Sequence, residues 1–169
     1  MAANDIKVVG GGGGVVRFRT DDRDTSSTGG TIKPGEPVKV GGAGNNFVIL
    51  CADGDPEQNT DIFLGICAKE STETASADGR VDVQVAVGNQ TLLRGKVTTT
   101  GNMDADSELL GILFDTIAFD YAAQAFTLDE NDGASNWSTF GLQIVDGDVV
   151  NNTLVVRVLD NITRHQRAI

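Results

Sequence analysis

Hydrophobic and polar residues alternate in short runs along most of this chain. In residues 81–87 valines take every second position, with Asp82 and Gln84 between them, which predicts a strand with one face on a core and one in solvent. Residues 47–51 and 62–68 are unbroken apolar runs, short enough for buried strands. Further strand-like runs cover residues 38–40, 91–98, 117–121, 125–128, 139–145 and 154–159.

A helical pattern is found in residues 104–114. Leucine and isoleucine recur there at helical spacing, and the acidic residues of the segment fall mostly in its first turn, where they suit the helix dipole. Gly111 weakens the helix. One short helix among many short strands and glycine-rich turns predicts a mainly β fold, a compact β-barrel or β-sandwich.

The first 30 residues follow a different pattern. Five glycines at positions 10–14 separate two short apolar pieces, and a polar stretch without periodicity covers residues 20–30. We expect residues 1–30 to form an extended, flexible glycine-rich arm and linker, and residues 31–169 to form a β-rich domain. The alternative is a core strand pair, residues 6–9 with 15–19, joined by a glycine hairpin tip.

Charge and composition exclude several classes of partner. Asp and Glu total 24 against 13 Lys and Arg, which gives a formal charge of −11 and disfavours binding to nucleic acid. No apolar run approaches the roughly 20 residues of a membrane helix, and the N-terminus does not resemble a signal peptide. Aromatic residues make up 5% of the chain, fewer than a sugar-binding module usually has. We therefore expect no nucleic-acid or membrane partner.

Residues 53–61 carry oxygen ligands at alternate positions, as calcium loops do. Gln58 stands where an EF-hand loop needs glycine, and Leu64 where it needs a bidentate glutamate. The EF-hand interpretation therefore fails. An irregular cation site formed by Asp53, Asp55, Glu57 and Asp61, or a solvated loop between two strands, remains open.

Other motifs offer little chemistry. The glycine run is followed by Val15 instead of the lysine of a phosphate-binding loop. His165, the only histidine, would have to serve any triad or zinc site. Cys51 and Cys67 lie in apolar runs and are expected to be free thiols. We expect no catalytic residues, no metal and no cofactor.

Several stretches together resemble a known family. Residues 31–40, 63–71, 78–83, 92–97 and 141–148 are similar to segments of the small β-barrel decoration proteins of tailed-bacteriophage capsids, also called cement or head auxiliary proteins. The resemblance covers roughly residues 31–160. It implies a non-enzymatic virion protein, made in the bacterial host cytoplasm, that binds the major capsid protein on the outer capsid surface. It also implies a homo-oligomer, with a trimer expected.

The resemblance gives the N-terminal segment a role. If the arm docks on a neighbour, its apolar side chains are the candidate capsid or subunit contacts: Val8, Val9, Val15, Val16 and Phe18. Two rival functions remain. A tail or spike receptor-attachment module should expose aromatic side chains or a sugar groove, and a carboxylate-dependent hydrolase needs a deep cleft with perturbed acids.

Overall fold

The computed structural model describes residues 6–20, 31–41, 47–73, 77–122, 125–130 and 139–163. The fold is mainly β, as predicted. In these residues the strands are β1 (Lys7–Gly10), β2 (Val15–Thr20), β3 (Pro37–Val40), β4 (Val48–Leu50), β5 (Phe63–Lys69), β6 (Gly79–Val85), β7 (Leu92–Lys96), β8 (Thr116–Ile117), β9 (Phe119–Ala122), β10 (Ala125–Leu128), β11 (Leu142–Asp148) and β12 (Thr153–Val158). A single α-helix, α1 (Asp106–Ile112), and 3₁₀ turns at Gly88–Gln90, Thr100–Asn102 and Asp160–Ile162 complete the described elements.

Five strands close into a barrel in the order β2-β4-β3-β5-β6. β2 runs antiparallel to β6 along its whole length, and the parallel pair Thr20–Val48 closes the barrel between β2 and β4. The alternating pattern predicted the orientation of β6 correctly, because Val81 and Val83 are buried inside. The predicted core position of Val87 is wrong, because Val87 lies beyond the end of β6 and is 40% exposed. The barrel core also contains Ile32, Val38, Leu64 and Cys67.

The second layer is a five-stranded sheet in the order β1-β7-β12-β11-β8, joined by the two-stranded ribbon of β9 and β10. Its inner face and the outer wall of the barrel share one large apolar cluster. Phe63 of the barrel lies 5.8 Å, centroid to centroid, from Phe119, which in turn lies 6.2 Å from Phe126. Burying aromatic rings at this junction fixes the two layers against each other.

Helix α1 is shorter than the predicted segment 104–114. Its inward positions Leu109, Ile112 and Leu113 pack against the large apolar cluster. The helix ends because Phe114 has a φ of +73° and donates its amide to the Ile144 carbonyl at 2.9 Å. In the described part of the chain, no helix has the length and apolar character that crossing a membrane requires.

Residues 6–20 correct the expectation of a flexible arm. β1 pairs with β7 at the edge of the five-stranded sheet, whereas β2 pairs with β6 in the barrel. The alternative hairpin is also wrong, because the two strands belong to different layers. Ile6, 1% exposed, anchors the segment in the large cluster, and the two ladders supply the backbone hydrogen bonds that offset the entropy of ordered glycines. Residues 1–5 and 21–30 lie outside the described residues, so the arm stays a prediction for them.

The chain crosses between the two layers a second time at Gly88–Gln90. The sequence predicts a turn here, and a 3₁₀ turn is present. The strands that it joins, β6 and β7, do not pair with each other, since β6 belongs to the barrel and β7 to the sheet. Two layer crossings, after β1 and after β6, therefore lie side by side: the Gly13 amide donates to the Val85 carbonyl at 2.8 Å.

We expect a chain that begins at Thr31 to melt well below the full chain, because it lacks β1 and β2. Truncating a buried isoleucine such as Ile6 alone costs about 2–5 kcal/mol, against a typical total stability of about 5–15 kcal/mol. Circular dichroism during heating, with both chains checked as monomers by light scattering, measures the difference. A chain that begins at Asn4 is the control and should melt like the full chain. Equal melting of the Thr31 chain would show that the first two strands are dispensable.

Candidate functional site

The five-glycine segment is a tightly bonded crossover between the layers. Besides the Gly13 bond, the Val85 amide donates to the Gly14 carbonyl at 3.2 Å, and the buried Thr91 hydroxyl donates to the Gly11 carbonyl at 3.2 Å. Gly11 has a φ of +59°, and a Cβ added there would lie 1.6 Å from the Gln90 carbonyl oxygen. Left-handed backbone and this close approach to another loop leave room only for glycine.

Exposed valines surround this crossover. Val9, Val15 and Val16 are 47%, 60% and 45% exposed, and Val87 is 40% exposed. A Cβ added to Gly13 would lie 3.1 Å from a Val87 methyl group, so Val87 borders the glycine segment. We call Val9, Val15, Val16 and Val87 the valine patch. Exposed apolar side chains near one another can mark an interaction surface. Val15 and Val16 are consecutive in β2 and so point to opposite sides of that strand.

The five predicted contact residues thus divide into two groups. Val9, Val15 and Val16 lie on the surface, whereas Val8 and Phe18 are half-buried and pack against the two apolar clusters. Sequence reasoning missed Val87 because it assigned the whole alternating run to the core. The signal was the following Gly88, which starts a 3₁₀ turn with Val87 just before it, after β6 has ended at Val85.

Cations lie next to the valine patch on β1 and β2. Lys7, Arg17 and Arg19 are all exposed. Arg17 forms a bidentate pair with Asp82 across the strands at 2.6 and 3.0 Å, and its hydrogen bond holds the pKa of Asp82 below the usual value. Arg19 lies 4.9 Å from the centre of the Phe47 ring. Arg19 also pairs with Asp78 at 3.6 Å, so both guanidinium groups have carboxylate partners from β6 or the residue before it.

The acidic loop 53–61 is exposed at Asp53 and Glu57, whereas Asp55 and Asp61 are paired with Lys39 of β3. The Lys39 ammonium lies 2.7 Å from an Asp55 carboxylate oxygen and 2.8 Å from one of Asp61. The three side chains are only 16%, 9% and 10% exposed. In the described ranges no three His, Cys, Asp or Glu side chains are grouped as metal ligands.

Burial and mutual hydrogen bonds together set the pKa values in the lysine–carboxylate clasp formed by Lys39, Asp55 and Asp61. Burial raises the pKa of Asp55 above its usual value, against the opposing hydrogen bond from Lys39. Burial also acts to raise the pKa of Asp61, but hydrogen bonds from Lys39 and the Glu57 amide outweigh it and lower that pKa. The Lys39 pKa is raised, because the two carboxylates outweigh its own desolvation. The two carboxylates therefore stabilise the charged form of the Lys39 ammonium.

The same loop joins the barrel to the second layer. The Gly54 amide donates to the Phe119 carbonyl at 3.0 Å, and the Phe119 amide donates to the Asp55 carbonyl at 2.6 Å. The Gly141 amide donates to the Pro56 carbonyl at 2.8 Å. The backbone of residues 54–56, next to the paired side chains of Asp55 and Asp61, thus connects the two layers.

The thiols are buried and inert. Cys51 and Cys67 are free, as predicted. Burial raises the pKa of Cys51 well above its usual value and raises the pKa of Cys67 to about 12. A thiol that stays protonated at neutral pH is a poor nucleophile and a poor metal ligand.

One carboxylate pair lies outside the clasp. Burial, and then the neighbouring Asp53 carboxylate, raise the pKa of Asp120, although Thr98 donates a hydrogen bond to it. Neither of the following two surface cavities contains this pair. One, of about 320 Å³, is lined by Arg17, Lys69, Glu70, Thr72, Arg80 and Asp82. The other, of about 280 Å³, is lined by Ile6, Lys7, Val8, Pro34, Gly35, Ile66, Cys67 and Gln84.

His165, which the sequence analysis singled out, lies outside the described residues. No protein-family model matches the chain, and no curated protein matches it in sequence. The geometry of the surface is therefore the basis for a functional proposal.

Two alanine substitutions in the glycine segment test the geometry of the crossover. We expect Gly11→Ala to destabilise the fold by about 1–3 kcal/mol, from left-handed backbone and a clash with the Gln90 carbonyl. Gly14→Ala is the matched control, since an added Cβ there meets nothing within 4 Å, and it should be neutral or stabilise by up to about 1 kcal/mol. Urea unfolding measures both, and equal effects would contradict the crossover geometry.

The clasp predicts a pH-dependent defect. We expect Lys39→Met to lower the free energy of unfolding by about 3 kcal/mol at neutral pH, because two buried carboxylates lose their counter-charge. In this variant both folded-state carboxyl pKa values should lie above the unfolded-state values. The deficit is then largest above the folded pKa values and shrinks as falling pH protonates both groups.

Urea unfolding between pH 4 and pH 8 measures the deficit. Lys33→Met, which removes an exposed ammonium, is the control and should change stability little. A Lys39→Met deficit that stays constant with pH would show that the lost packing of the lysine stem, not its charge, is responsible.

Proposed function

We propose that this protein is a virion structural protein that binds the outer surface of a bacteriophage capsid and stabilises contacts between capsomers. Its partners are the major capsid protein and further copies of itself, with a trimer as the expected assembly. It acts by binding its partners and not by catalysis. The resemblance of residues 31–160 to capsid decoration proteins suggests the kind of partner. The exposed surface of the fold offers a place for that partner to bind.

The valine patch is the observation that carries the proposal. It places Val15, 60% exposed, and its neighbours on a surface that is rigidly bonded to both layers. A rigid apolar surface binds with little loss of conformational entropy. Burying a valine side chain contributes roughly 1.5–3 kcal/mol, so a few such side chains are enough to anchor a chain that is repeated many times on a particle.

The polar interior supports a contact role as well. The groups that could do chemistry are used to hold the fold together: Lys39 neutralises two buried carboxylates, and the buried Glu130 accepts hydrogen bonds from the Thr98 and Thr99 amides. The buried Glu73 likewise accepts from the Thr20 hydroxyl. A protein that stabilises a shell needs such internal bonding and a binding surface.

Binding to particles tests the proposal. The purified chain should co-sediment with capsids assembled without it, and electron microscopy should show added density on the outer surface between capsomers. Decorated capsids should also lose their DNA at a higher temperature than bare ones, since bound ligand stabilises the assembled state. Capsids that already carry the chain are the control and should bind no more.

The rival functions predict different results. Density confined to the tail would favour a receptor-attachment module. No binding to any part of the particle, together with hydrolysis that is lost in Asp120→Asn, would favour the carboxylate-dependent hydrolase. Either result would overturn the capsid proposal.

A further inference from the structure

The cavity of about 320 Å³ opens on the outer wall of the barrel, where strands β2, β6 and β5 lie side by side. We call it the wall cavity. Its lining consists of Arg17, Lys69, Glu70, Thr72, Arg80 and Asp82. A cavity of this size holds a small ligand together with several waters, since each water takes about 30 Å³.

The strand register places the charged side chains of the wall cavity on one face. The valines on either side of Asp82 are buried in the barrel, so Asp82 and Arg80 point outward. Arg17 lies opposite Asp82, and Arg19 lies opposite Arg80. Residues opposite each other in an antiparallel pair share a face, so three arginines and Asp82 lie together on the outside of the barrel.

The pair formed by Arg19 and Arg80 brings two like charges together. Facing residues of an antiparallel pair have Cβ atoms about 4.5–5.5 Å apart, and like charges at that distance are destabilising. Arg19 has a loose partner, because its guanidinium lies 3.6 Å from Asp78 and both side chains are largely exposed. Among the described residues, the Arg80 guanidinium forms no ion pair and donates no hydrogen bond. The repulsion is therefore only partly relieved within the chain.

The two carboxylates of the wall cavity already have partners. Asp82 accepts from Arg17 with both oxygens, at 2.6 and 3.0 Å, and Glu70 accepts from the Thr31 hydroxyl at 2.9 Å. The Arg17 hydrogen bond is the main cause that lowers the pKa of Asp82, and the more distant Lys69 charge contributes least. Three cations and two carboxylates line the cavity, so it keeps an excess of positive charge in a protein whose formal charge is −11.

We propose that the wall cavity binds an oxyanion, a carboxylate or phosphate group, held by Arg80, Lys69 and Thr72. The unpaired guanidinium offers two parallel hydrogen bonds to such a group, and the ammonium adds a second positive charge. The Thr72 hydroxyl oxygen accepts from the Arg80 amide at 3.1 Å, which leaves the hydroxyl proton for the anion. A negative charge bound there also relieves the repulsion between Arg19 and Arg80. This inference goes beyond the proposed function and does not require a capsid partner.

Titration with inorganic phosphate and, separately, with acetate tests the site at constant ionic strength. The NMR shifts of the backbone amides of residues 69–72 and 80–82 should move with one shared dissociation constant for each anion. Arg80→Gln should weaken binding by about tenfold or more, because a charge-assisted bidentate contact is lost. Arg94→Gln is the matched control: it removes an exposed arginine from β7 in the other layer and should bind like the wild type.

The two anions identify the source of the oxyanion. Binding of both supports a site for the shared chemistry, whereas binding of phosphate alone or acetate alone supports the site and assigns it to that group. Absence of binding by either anion overturns the proposal. Shifts of the same size in Arg80→Gln and in the wild type also overturn it, because they show general screening of surface charge.

Removing a carboxylate tests the electrostatic argument separately. Asp82→Asn takes away a repelling charge and releases Arg17, so phosphate should bind severalfold more tightly. Glu70→Gln removes the other, exposed carboxylate and should act in the same direction. Circular dichroism checks that each variant is folded, and the Glu70→Gln result decides if Asp82→Asn is not. Weaker binding in a folded variant of this pair contradicts the charge argument.

The stability of the phosphate-free protein distinguishes a ligand from a structural role for Arg80. Because Arg80 faces Arg19 without a partner carboxylate, Arg80→Gln should leave the melting temperature unchanged or raise it slightly. Heating followed by circular dichroism in phosphate-free buffer measures this. A clearly lower melting temperature would show that Arg80 supports the fold itself, and it would overturn the assignment of Arg80 to the anion.

Discussion

The fold depends on the burial of one apolar surface between a closed barrel and a five-stranded sheet. The large cluster draws Phe63 from the barrel, Phe119 and Phe126 from the ribbon, and Leu93 from the sheet. Neither layer covers this surface alone, so each is stable only against the other. The chain must therefore cross between layers, and both the glycine crossover and the loop 53–61 serve that contact.

The glycine crossover and the loop 53–61 contact the neighbouring layer in different ways. At the glycine segment, backbone approaches backbone so closely at Gly11 that no side chain fits. In the loop 53–61, carboxylates brought under the barrel wall would be costly, and the Lys39 ammonium neutralises them at 2.7 and 2.8 Å. Desolvation and steric contact, rather than any chemistry on a substrate, explain why these residue types are present.

The same architecture divides the surface into distinct parts. Strand β1 ends at a sheet edge beside the barrel, which leaves the valine patch uncovered. Helix α1 packs through Leu109 and Ile112, whereas Leu110 and Phe114, just after the helix, are exposed. Inside the described residues, Asp55 and Asp61 are paired with Lys39, and the thiols of Cys51 and Cys67 are buried.

The sequence by itself determined the elements whose signal is local. Alternation predicted β6, apolar runs predicted β4 and β5, and helical spacing with first-turn acids predicted α1, because strand and helix periods are properties of a few consecutive residues. Only the tertiary structure decided which strands pair. Residues 6–20 were predicted to be an arm because glycines and short valine runs carry no local evidence of pairing partners far along the chain. The acids of loop 53–61 were predicted to be cation ligands because Lys39 reaches them only in the folded chain. The contacts that joined β1 to the sheet and Lys39 to its carboxylates exist only once both layers have closed on their shared core.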